Sequence, residues 1–239
     1  MKLIALQIKT TSNFQDNLTH LKELINSCED NSLILAPELA LSGFAYNNMQ
    51  EAAQFSIQAI EEIQNISINK TIALTFIIKK ENKYFNTLYI FDNQSIIHTQ
   101  SKIQLFPLGN ELEYFSAGNE DDIKIIEING LKIATLICFE LRFPKLWEKI
   151  KGADIILNPA MWGIKRKDHY ETISKSLALI NQCFVIACNS ADDNMAKGSA
   201  IINPFGIVKK DDNLEIIEEK FDLDEIKKVR TYINIGLSR

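Results

Sequence analysis

Strand-length apolar runs recur along this chain, and their number constrains the fold more than any other feature. Such runs are predicted at residues 3–8, 33–36, 71–78, 84–91, 95–101, 123–128, 131–137, 153–157, 183–188, 199–202, 207–209 and 214–221. Amphipathic helical segments accompany them at 14–25, 49–66 and 169–181, and a short one begins at Asp222. Many strands with helices at both ends of the chain predict sheets covered by helices, in a layered α/β fold with mixed strand directions.

Two local signals add detail to this prediction. Asn129-Gly130 is the strongest two-residue hairpin signal in the chain, and it separates the runs at 123–128 and 131–137. Ser12 is a candidate N-cap for the first helix, because its hydroxyl would accept a backbone N–H of the first turn. The chain has 239 residues, no linker and no repeat, so a single domain over residues 1–239 is predicted.

Composition argues against several classes of function. The net charge of −5 is unfavourable for binding a nucleic-acid backbone, which needs a basic surface. The 4 cysteines lack metal-ligand spacing and the 3 histidines are scattered, so neither a metal nor another cofactor is predicted. The N-terminal apolar run is too short for a signal peptide, and no run approaches the roughly 20 apolar residues that span a membrane. A cytoplasmic protein without a membrane partner is expected.

Polar side chains follow three of the predicted strands. Glu38 comes after the run 33–36, Lys102 after 95–101, and Cys138 after 131–137. Each alone has an ordinary explanation, as a surface carboxylate, a lysine at a strand end or a small buried thiol. Because each ends a different strand, the three suit one site at one edge of a sheet. An acid, an ammonium and a thiol are the groups that metal-free acyl transfer requires.

Cys138 is the candidate nucleophile. It lies between an apolar run and a helix predicted to begin at Pro144. A thiol at such a junction has backbone N–H groups and a helix N-terminus nearby, a setting in which cysteines become reactive. A thiol with an ordinary pKa of about 8.5 is mostly protonated at neutral pH, so it needs a base or a cation beside it.

These residues belong to a longer series of short motifs. In chain order the motifs are residues 36–44, 101–107, 137–144, 157–162, 166–170, 181–185, 198–199 and 203–206. The series resembles the carbon–nitrogen hydrolase (nitrilase) superfamily, and the resemblance covers essentially the whole chain. It implies an α/β fold of four layers, an αββα sandwich of two mixed sheets covered by helices, and a homodimer.

The resemblance also implies a role for each site residue. Glu38 resembles the general base, and Cys138 resembles the nucleophile that attacks an amide or nitrile carbon. Lys102 and the backbone N–H of Phe139 resemble the donors that stabilise the oxyanion. Glu111 resembles a second glutamate that orients the lysine and the substrate.

Two segments leave alternatives open. Glu111 stands seven residues before Gly118, and Glu113 is the alternative for its role if the loop register differs. Superfamily members often carry Arg and Glu where this chain has Leu177 and Ile180. Apolar residues at these positions suggest a repacked helix at the face where two copies would pair.

The segment after the predicted strand at 153–157 bears on the substrate. Residues 161–162 and 166–170 most resemble the ω-amidases, which hydrolyse α-keto-acid ω-amides such as 2-oxoglutaramate. Such a substrate carries a carboxylate, so Arg166 and Arg142 are candidate clamps and Trp162 is a candidate pocket wall. In the alternative, Arg142 ties down the loop after Cys138. His169 is expected to be a structural hydrogen-bonding residue rather than a catalytic base.

The sequence therefore predicts a cysteine-dependent amidase that uses water to hydrolyse a small carboxylated amide through a thioester and releases ammonia. An N-carbamoyl amidase and a deaminated-glutathione amidase are the alternatives with the same chemistry. A catalytically silent binding protein on this fold is disfavoured, because Glu38, Lys102 and Cys138 are all present. A redox sensor built on Cys138 is disfavoured because no resolving cysteine lies nearby in the sequence.

Overall fold

Two six-stranded sheets form the centre of the protein. The computed structural model describes residues 1–237. The strands are β1 Lys2–Leu6, β2 Ser32–Leu35, β3 Lys70–Lys80, β4 Lys83–Asp92, β5 Ser95–Ser101, β6 Ile126–Ile128, β7 Leu131–Thr135, β8 Ile155–Ala160, β9 Phe184–Asn189, β10 Ala200–Ile202, β11 Val208–Lys210 and β12 Ile216–Lys220. The helices are α1 Phe14–Ser27, α2 Met49–Ile66, α3 Glu111–Tyr114, α4 Pro144–Lys149, α5 Lys167–Asn181 and α6 Leu223–Tyr232.

Both sheets have mixed strand directions. The first has the order β12-β1-β2-β3-β4-β5 and the second has the order β11-β10-β9-β8-β7-β6. In the first sheet β1, β2 and β3 are parallel, while β12, β4 and β5 pair antiparallel with their neighbours. In the second sheet β7, β8 and β9 are parallel, and β6, β10 and β11 pair antiparallel. The predicted mixed directions are confirmed.

Alternation along β1 shows how the layers arise. Leu3 packs in a cluster that also contains Ile155 of β8, whereas Ile4 packs in the cluster that contains Leu18 of α1. Successive side chains of a strand point to opposite faces, so the first sheet packs on the second sheet with one face and on helices with the other. Leu177 of α5 is buried in the cluster of the second sheet. The order is helix, sheet, sheet, helix, and the predicted αββα sandwich is confirmed.

The hairpin prediction is correct, and two strand boundaries differ from it. Asn129 and Gly130 have φ of 52° and 77°, which allows the tight turn between β6 and β7. The predicted strand at 123–128 is regular only from Ile126, because residues 120–122 form a 3-10 turn capped by Asn119. The predicted strand at 131–137 ends at Thr135, and the chain then turns towards Cys138.

The prediction for the start of α1 is wrong by one residue. Asn13, not Ser12, caps the helix, because its side-chain oxygen accepts the backbone N–H groups of Gln15 and Asp16. An Asn amide oxygen caps as well as a Ser hydroxyl does, so composition alone does not separate the two. Within residues 1–237, no helix is long and apolar enough to cross a membrane.

Candidate active site

The strand directions bring the ends of β2, β5 and β7 together. Because β5 is antiparallel to β4, which is antiparallel to β3, β5 runs in the same direction as β2. Glu38 and Lys102 therefore follow strands that end at the same edge of the first sheet. The backbone N–H of Glu38 donates to the carbonyl oxygen of Ala160 at 3.2 Å, which ties this edge to the end of β8 in the second sheet.

Lys102 forms two ion pairs in the interior of the protein. Its Nζ lies 2.7 Å from Oε1 of Glu38 and 2.8 Å from Oε1 of Glu111. Asn86 donates a further hydrogen bond of 2.8 Å to the same oxygen of Glu38. Lys102 and Glu38 are completely buried, with an exposed fraction of 0% for each. Burying a charge is unfavourable unless it is paired with an opposite charge. Here the ammonium of Lys102 is the counter-charge of both buried carboxylates.

The charges of this cluster shift its pKa values. Burial, followed by the negative charge of Glu38, raises the pKa of Glu111 to about 7. Burial alone would lower the pKa of Lys102, but the negative charges of Glu38 and Glu111 outweigh that effect and raise it. Lys102 is therefore held as an ammonium ion. Glu113, the alternative for the second glutamate, is exposed and takes no part in the cluster.

Cys138 is the first residue of a short 3-10 helix, Cys138–Arg142, which begins shortly after the end of β7 at Thr135. Its backbone is left-handed, with φ of 48°. This conformation costs a residue with a Cβ roughly 1–2 kcal/mol, so the turn is strained at the thiol. Burial and then the negative charge of Glu38 raise the pKa of Cys138, while Lys102 lowers it. The resting thiol is protonated, and its proton must be accepted before the sulfur can attack a carbon.

Glu140 is a site residue that the sequence analysis missed. One carboxylate oxygen accepts the backbone N–H of Ile137 at 2.6 Å, and the other accepts that of Ile103 at 2.7 Å. The side chain is completely buried, and burial raises its pKa to about 7 although the backbone donors lower it. Glu140 thus fixes the residue before Cys138 and the residue after Lys102. The available signal was an acid inside an apolar segment, the same signal that singled out Glu38.

A small cavity, partly open to solvent, lies beside Cys138. Its walls are formed by the nucleophile turn, the loop after Lys102 and the segment after β8, with the residues Phe106, Cys138, Phe139, Arg142, Met161, Trp162 and Arg166. The structure therefore places Trp162, Arg142 and Arg166 at one cavity, with the thiol and Phe139. Phe106 and Met161 lie in motifs recognised in the sequence but were assigned no role there, because neither carries a polar group.

Two guanidinium groups stand over aromatic rings in this cavity. Arg142 lies 4.5 Å from the ring centre of Trp162, and Arg166 lies 5.1 Å from that of Phe106. Neither arginine has a carboxylate partner among the residues that the structure describes. Burial and then the positive charge of Arg166 lower the pKa of Arg142, so the two cations act on each other. Such a pair favours an anionic ligand.

Arg142 is part of the loop after Cys138 and binds residues outside it, so these contacts are also compatible with the alternative prediction that it ties down this loop. Its guanidinium contacts Trp162 and lies 3.0 Å from Nδ1 of His169, and both of these residues lie outside the loop after Cys138. His169 is thus a hydrogen-bonding residue, as expected. Within the described part of the chain, no group of three or more His, Cys, Asp or Glu side chains is arranged to hold a metal.

The residues at the two departures from the superfamily pattern lie on α5. Leu177 is fully buried and packs in the core of the second sheet. Ile180, in contrast, is 57% exposed. An apolar residue at the first position thus fills the interior, whereas the second adds apolar surface to the outside of the helix.

Comparison with known proteins decides the family. The sequence profile described as carbon-nitrogen hydrolase matches residues 3–231. The chain belongs to the carbon–nitrogen hydrolase family. It is therefore a hydrolase that acts on carbon–nitrogen bonds other than peptide bonds, with the amidase activity of that family. Its fold matches that of the nitrilase-superfamily protein Nit3 from Saccharomyces cerevisiae with a TM-score of 0.84, at 22% identity, over 99% of this chain and 95% of that one.

Two curated relatives of this carbon–nitrogen hydrolase are amidases by name. The chain is 33% identical to the 2-oxoglutaramate amidase of Bacillus subtilis (strain 168), over 85% of this chain and 83% of that protein. It is 28% identical to the omega-amidase YafV of Escherichia coli (strain K12), over 80% of this chain and 76% of that protein.

Proposed function

We propose that this carbon–nitrogen hydrolase is a cysteine-dependent amidase for a small amide that also carries a carboxylate, of the 2-oxoglutaramate type. The proposal depends above all on one juxtaposition. A buried thiol, Cys138, shares a cavity with two guanidinium groups, Arg142 and Arg166, that have no carboxylate partner among the described residues. An amide at the thiol and a carboxylate at the guanidinium groups would satisfy both ends of this cavity.

In the first half of the proposed reaction, Glu38 accepts the proton of the Cys138 thiol and the sulfur attacks the amide carbon. The carbonyl oxygen gains a negative charge, which Lys102 and the backbone N–H of Phe139 stabilise. When the tetrahedral intermediate collapses, the carbon–nitrogen bond breaks and Glu38 returns its proton to the nitrogen. Ammonia leaves, and the acyl group remains on sulfur as a thioester.

In the second half, water replaces ammonia. Glu38 takes a proton from the water, and the oxygen attacks the thioester carbon. The same donors stabilise the oxyanion, the carbon–sulfur bond breaks, and the sulfur recovers a proton from Glu38. One amide and one water thus give one carboxylic acid and one ammonia, and the enzyme returns to its starting state.

The contacts of Glu38 support its role as the base. Lys102 and Asn86 both bind Oε1, and within residues 1–237 the buried Oε2 accepts no hydrogen bond from nitrogen or oxygen. The charge of Glu38 acts on the Cys138 thiol. One oxygen is thus held in place and the other is available for a proton. Glu111 binds Lys102 from a second side and keeps the ammonium oriented.

Ammonia release is the experiment that tests this proposal. The purified protein is assayed for ammonia with 2-oxoglutaramate, N-carbamoyl amino acids and simple nitriles. With deaminated glutathione, whose amide nitrogen carries a peptide, the released primary amine is measured instead. We expect the highest kcat/KM for 2-oxoglutaramate and turnover that requires Cys138. A preference for carbamoyl amino acids or deaminated glutathione would reassign the substrate within the same chemistry. If neither ammonia nor the primary amine were released from any of these compounds, the amidase proposal would be refuted.

The proposal also includes a cytoplasmic homodimer without nucleic-acid or membrane partners, as the sequence predicts. The face proposed for dimerisation is formed by Leu179 and Ile180 of α5 with Phe205 and Ile207 of the neighbouring turn, all at least 44% exposed. These segments are in contact, because a Cβ added to Gly206 would lie 2.9 Å from the Leu179 side chain. Contiguous exposed apolar side chains are typical of protein interfaces.

A further inference from the structure

His169 forms a contact that the proposed reaction does not use. Nη2 of Arg142 lies 3.0 Å from Nδ1 of His169. A guanidinium group only donates hydrogen bonds, so Nδ1 must be the acceptor and the ring proton is assigned to Nε2. The imidazole is therefore neutral in this contact. His169 itself does not line the cavity beside Cys138.

The contact fixes an arginine that otherwise has little to hold it. The ring of Trp162, 4.5 Å from the guanidinium, restrains its distance from the cavity wall but leaves rotation over the ring free. The nearby Arg166 pushes it away, as the lowered pKa of Arg142 shows after the effect of burial. A long side chain in such surroundings adopts several rotamers, and ordering it on binding weakens affinity.

The contact also joins the cavity wall that carries Arg142 to a separate element, α5. Arg142 is the last residue of the 3-10 turn that begins at Cys138, while His169 is in the first turn of α5. The hydrogen bond therefore sets the guanidinium at a defined place relative to the sulfur. A substrate that spans from thiol to guanidinium requires this distance to be constant.

We propose that His169 is a positioning residue for substrate binding. His169 accepts the hydrogen bond of Arg142 and holds the guanidinium over Trp162, facing the cavity, where it would bind the carboxylate of the substrate. This inference rests on the proposed function, because it assumes that Arg142 binds a carboxylate. It assigns to His169 no proton transfer and no contact with the reacting atoms. Its loss should weaken the binding of carboxylated ligands specifically.

Two variants distinguish the effect of the hydrogen-bond acceptor of His169 from the effect of the size of its side chain. His169→Asn places an amide oxygen near the position of Nδ1 and so keeps a hydrogen-bond acceptor. His169→Leu keeps a side chain of moderate size but has no acceptor. Arg142→Leu is the reference for complete loss of the guanidinium. Circular dichroism and thermal unfolding establish that each variant is folded before binding is compared.

The measurement is protection of Cys138 against alkylation, because it needs no turnover. The protein is treated with iodoacetamide at increasing concentrations of glutarate, a short dicarboxylate, and alkylation of the Cys138 peptide is followed by mass spectrometry. The rates for each variant are normalised to its own rate without glutarate. The half-protecting concentration then reports binding of the carboxylate at the cavity.

We expect the half-protecting concentration to rise about tenfold in His169→Leu, as for loss of one hydrogen bond to a charged group, and to return close to the wild-type value in His169→Asn. Steady-state kinetics with a carboxylated amide should show the change in KM, with a smaller change for an uncharged amide. Equal protection in wild type and His169→Leu would overturn the role of His169 alone. An absence of protection in the wild type would overturn the carboxylate site as well.

Discussion

Glu140 binds the backbone N–H of Ile103 at 2.7 Å, and this bond ties the turn of the nucleophile to the residue that follows Lys102. The other oxygen of the same carboxylate holds the N–H of Ile137, immediately before Cys138. One buried acid therefore sets the relative position of the thiol and the ammonium. Such positioning matters because displacements of about 1 Å reduce catalysis strongly.

Replacing Glu140 with Gln should therefore reduce activity, although this residue does not line the cavity that would bind the substrate. A Gln side chain has one acceptor oxygen, so one of the two backbone N–H groups loses its partner, at a cost of about 1–3 kcal/mol. We expect a fall in kcat/KM of about tenfold to a hundredfold, mainly in kcat, measured by ammonia release. Glu148→Gln, at an exposed position of α4, is the control. Wild-type kinetics in Glu140→Gln would contradict the role.

The stability of the protein should fall as the pH rises towards neutrality. Burial raises the pKa of Glu140 from 4.5 to about 7, so the folded state holds a proton that the unfolded state has released. Its contribution is complete below about pH 4.5 and is lost as the pH passes 7. Urea unfolding at pH 5.5 and 8 should show a loss of roughly 2 kcal/mol from this group. The same comparison in Glu140→Gln should show a correspondingly smaller loss, and equal losses would refute the assignment.

Lys102→Met should damage both stability and catalysis. Removing the ammonium leaves Glu38 and Glu111 buried without their counter-charge, which typically costs about 3–5 kcal/mol. Loss of an oxyanion donor should lower kcat about a hundredfold to a thousandfold. Lys149→Met is the control, because its ion pair with Glu120 is at the surface and should contribute no more than about 1 kcal/mol. A near-normal kcat in Lys102→Met would reject the oxyanion role.

Cys138→Ala should abolish ammonia release, because the thioester cannot form without sulfur. Mass spectrometry of wild-type protein after brief exposure to substrate should show an acyl adduct on the Cys138 peptide. Cys28→Ala, at the end of α1, should keep full activity. An adduct on Cys28, Cys183 or Cys188, or turnover by Cys138→Ala, would place the nucleophile elsewhere.

Ile180→Glu should convert the proposed dimer into monomers, because a carboxylate would be buried in an apolar contact. Light scattering coupled to size-exclusion chromatography measures the mass of both proteins. Ile57→Glu on α2 is the matched control, since Ile57 is 72% exposed on a different helix. A wild-type monomer, or an unchanged dimer in Ile180→Glu, would show that this face does not pair two copies.

Much of the fold and of the candidate site was accessible from the sequence, because its signals are local. Asn129-Gly130 specifies a turn by its own backbone preferences, and Glu38, Lys102 and Cys138 are conspicuous at the ends of apolar runs. The pairing of Glu140 with two distant backbone groups is not local, since it depends on how two sheets pack.

The same limit applies to the arginines. The sequence named Arg142 and Arg166 as candidates but offered an alternative for the first, because no pattern along the chain specifies which ring a guanidinium will cover. Tertiary packing places them on Trp162 and Phe106. The start of α1 was missed for a different reason, since Ser12 and Asn13 are equivalent as caps and only the backbone separates them.

The left-handed backbone of Cys138, with φ of 48°, has a consequence for engineering. Glycine is the residue that adopts this conformation without strain, so a variant library screened only for heat resistance should enrich glycine at position 138. The most heat-resistant clones with this substitution would then be inactive, because a position where glycine relieves the backbone is also the position that carries the sulfur.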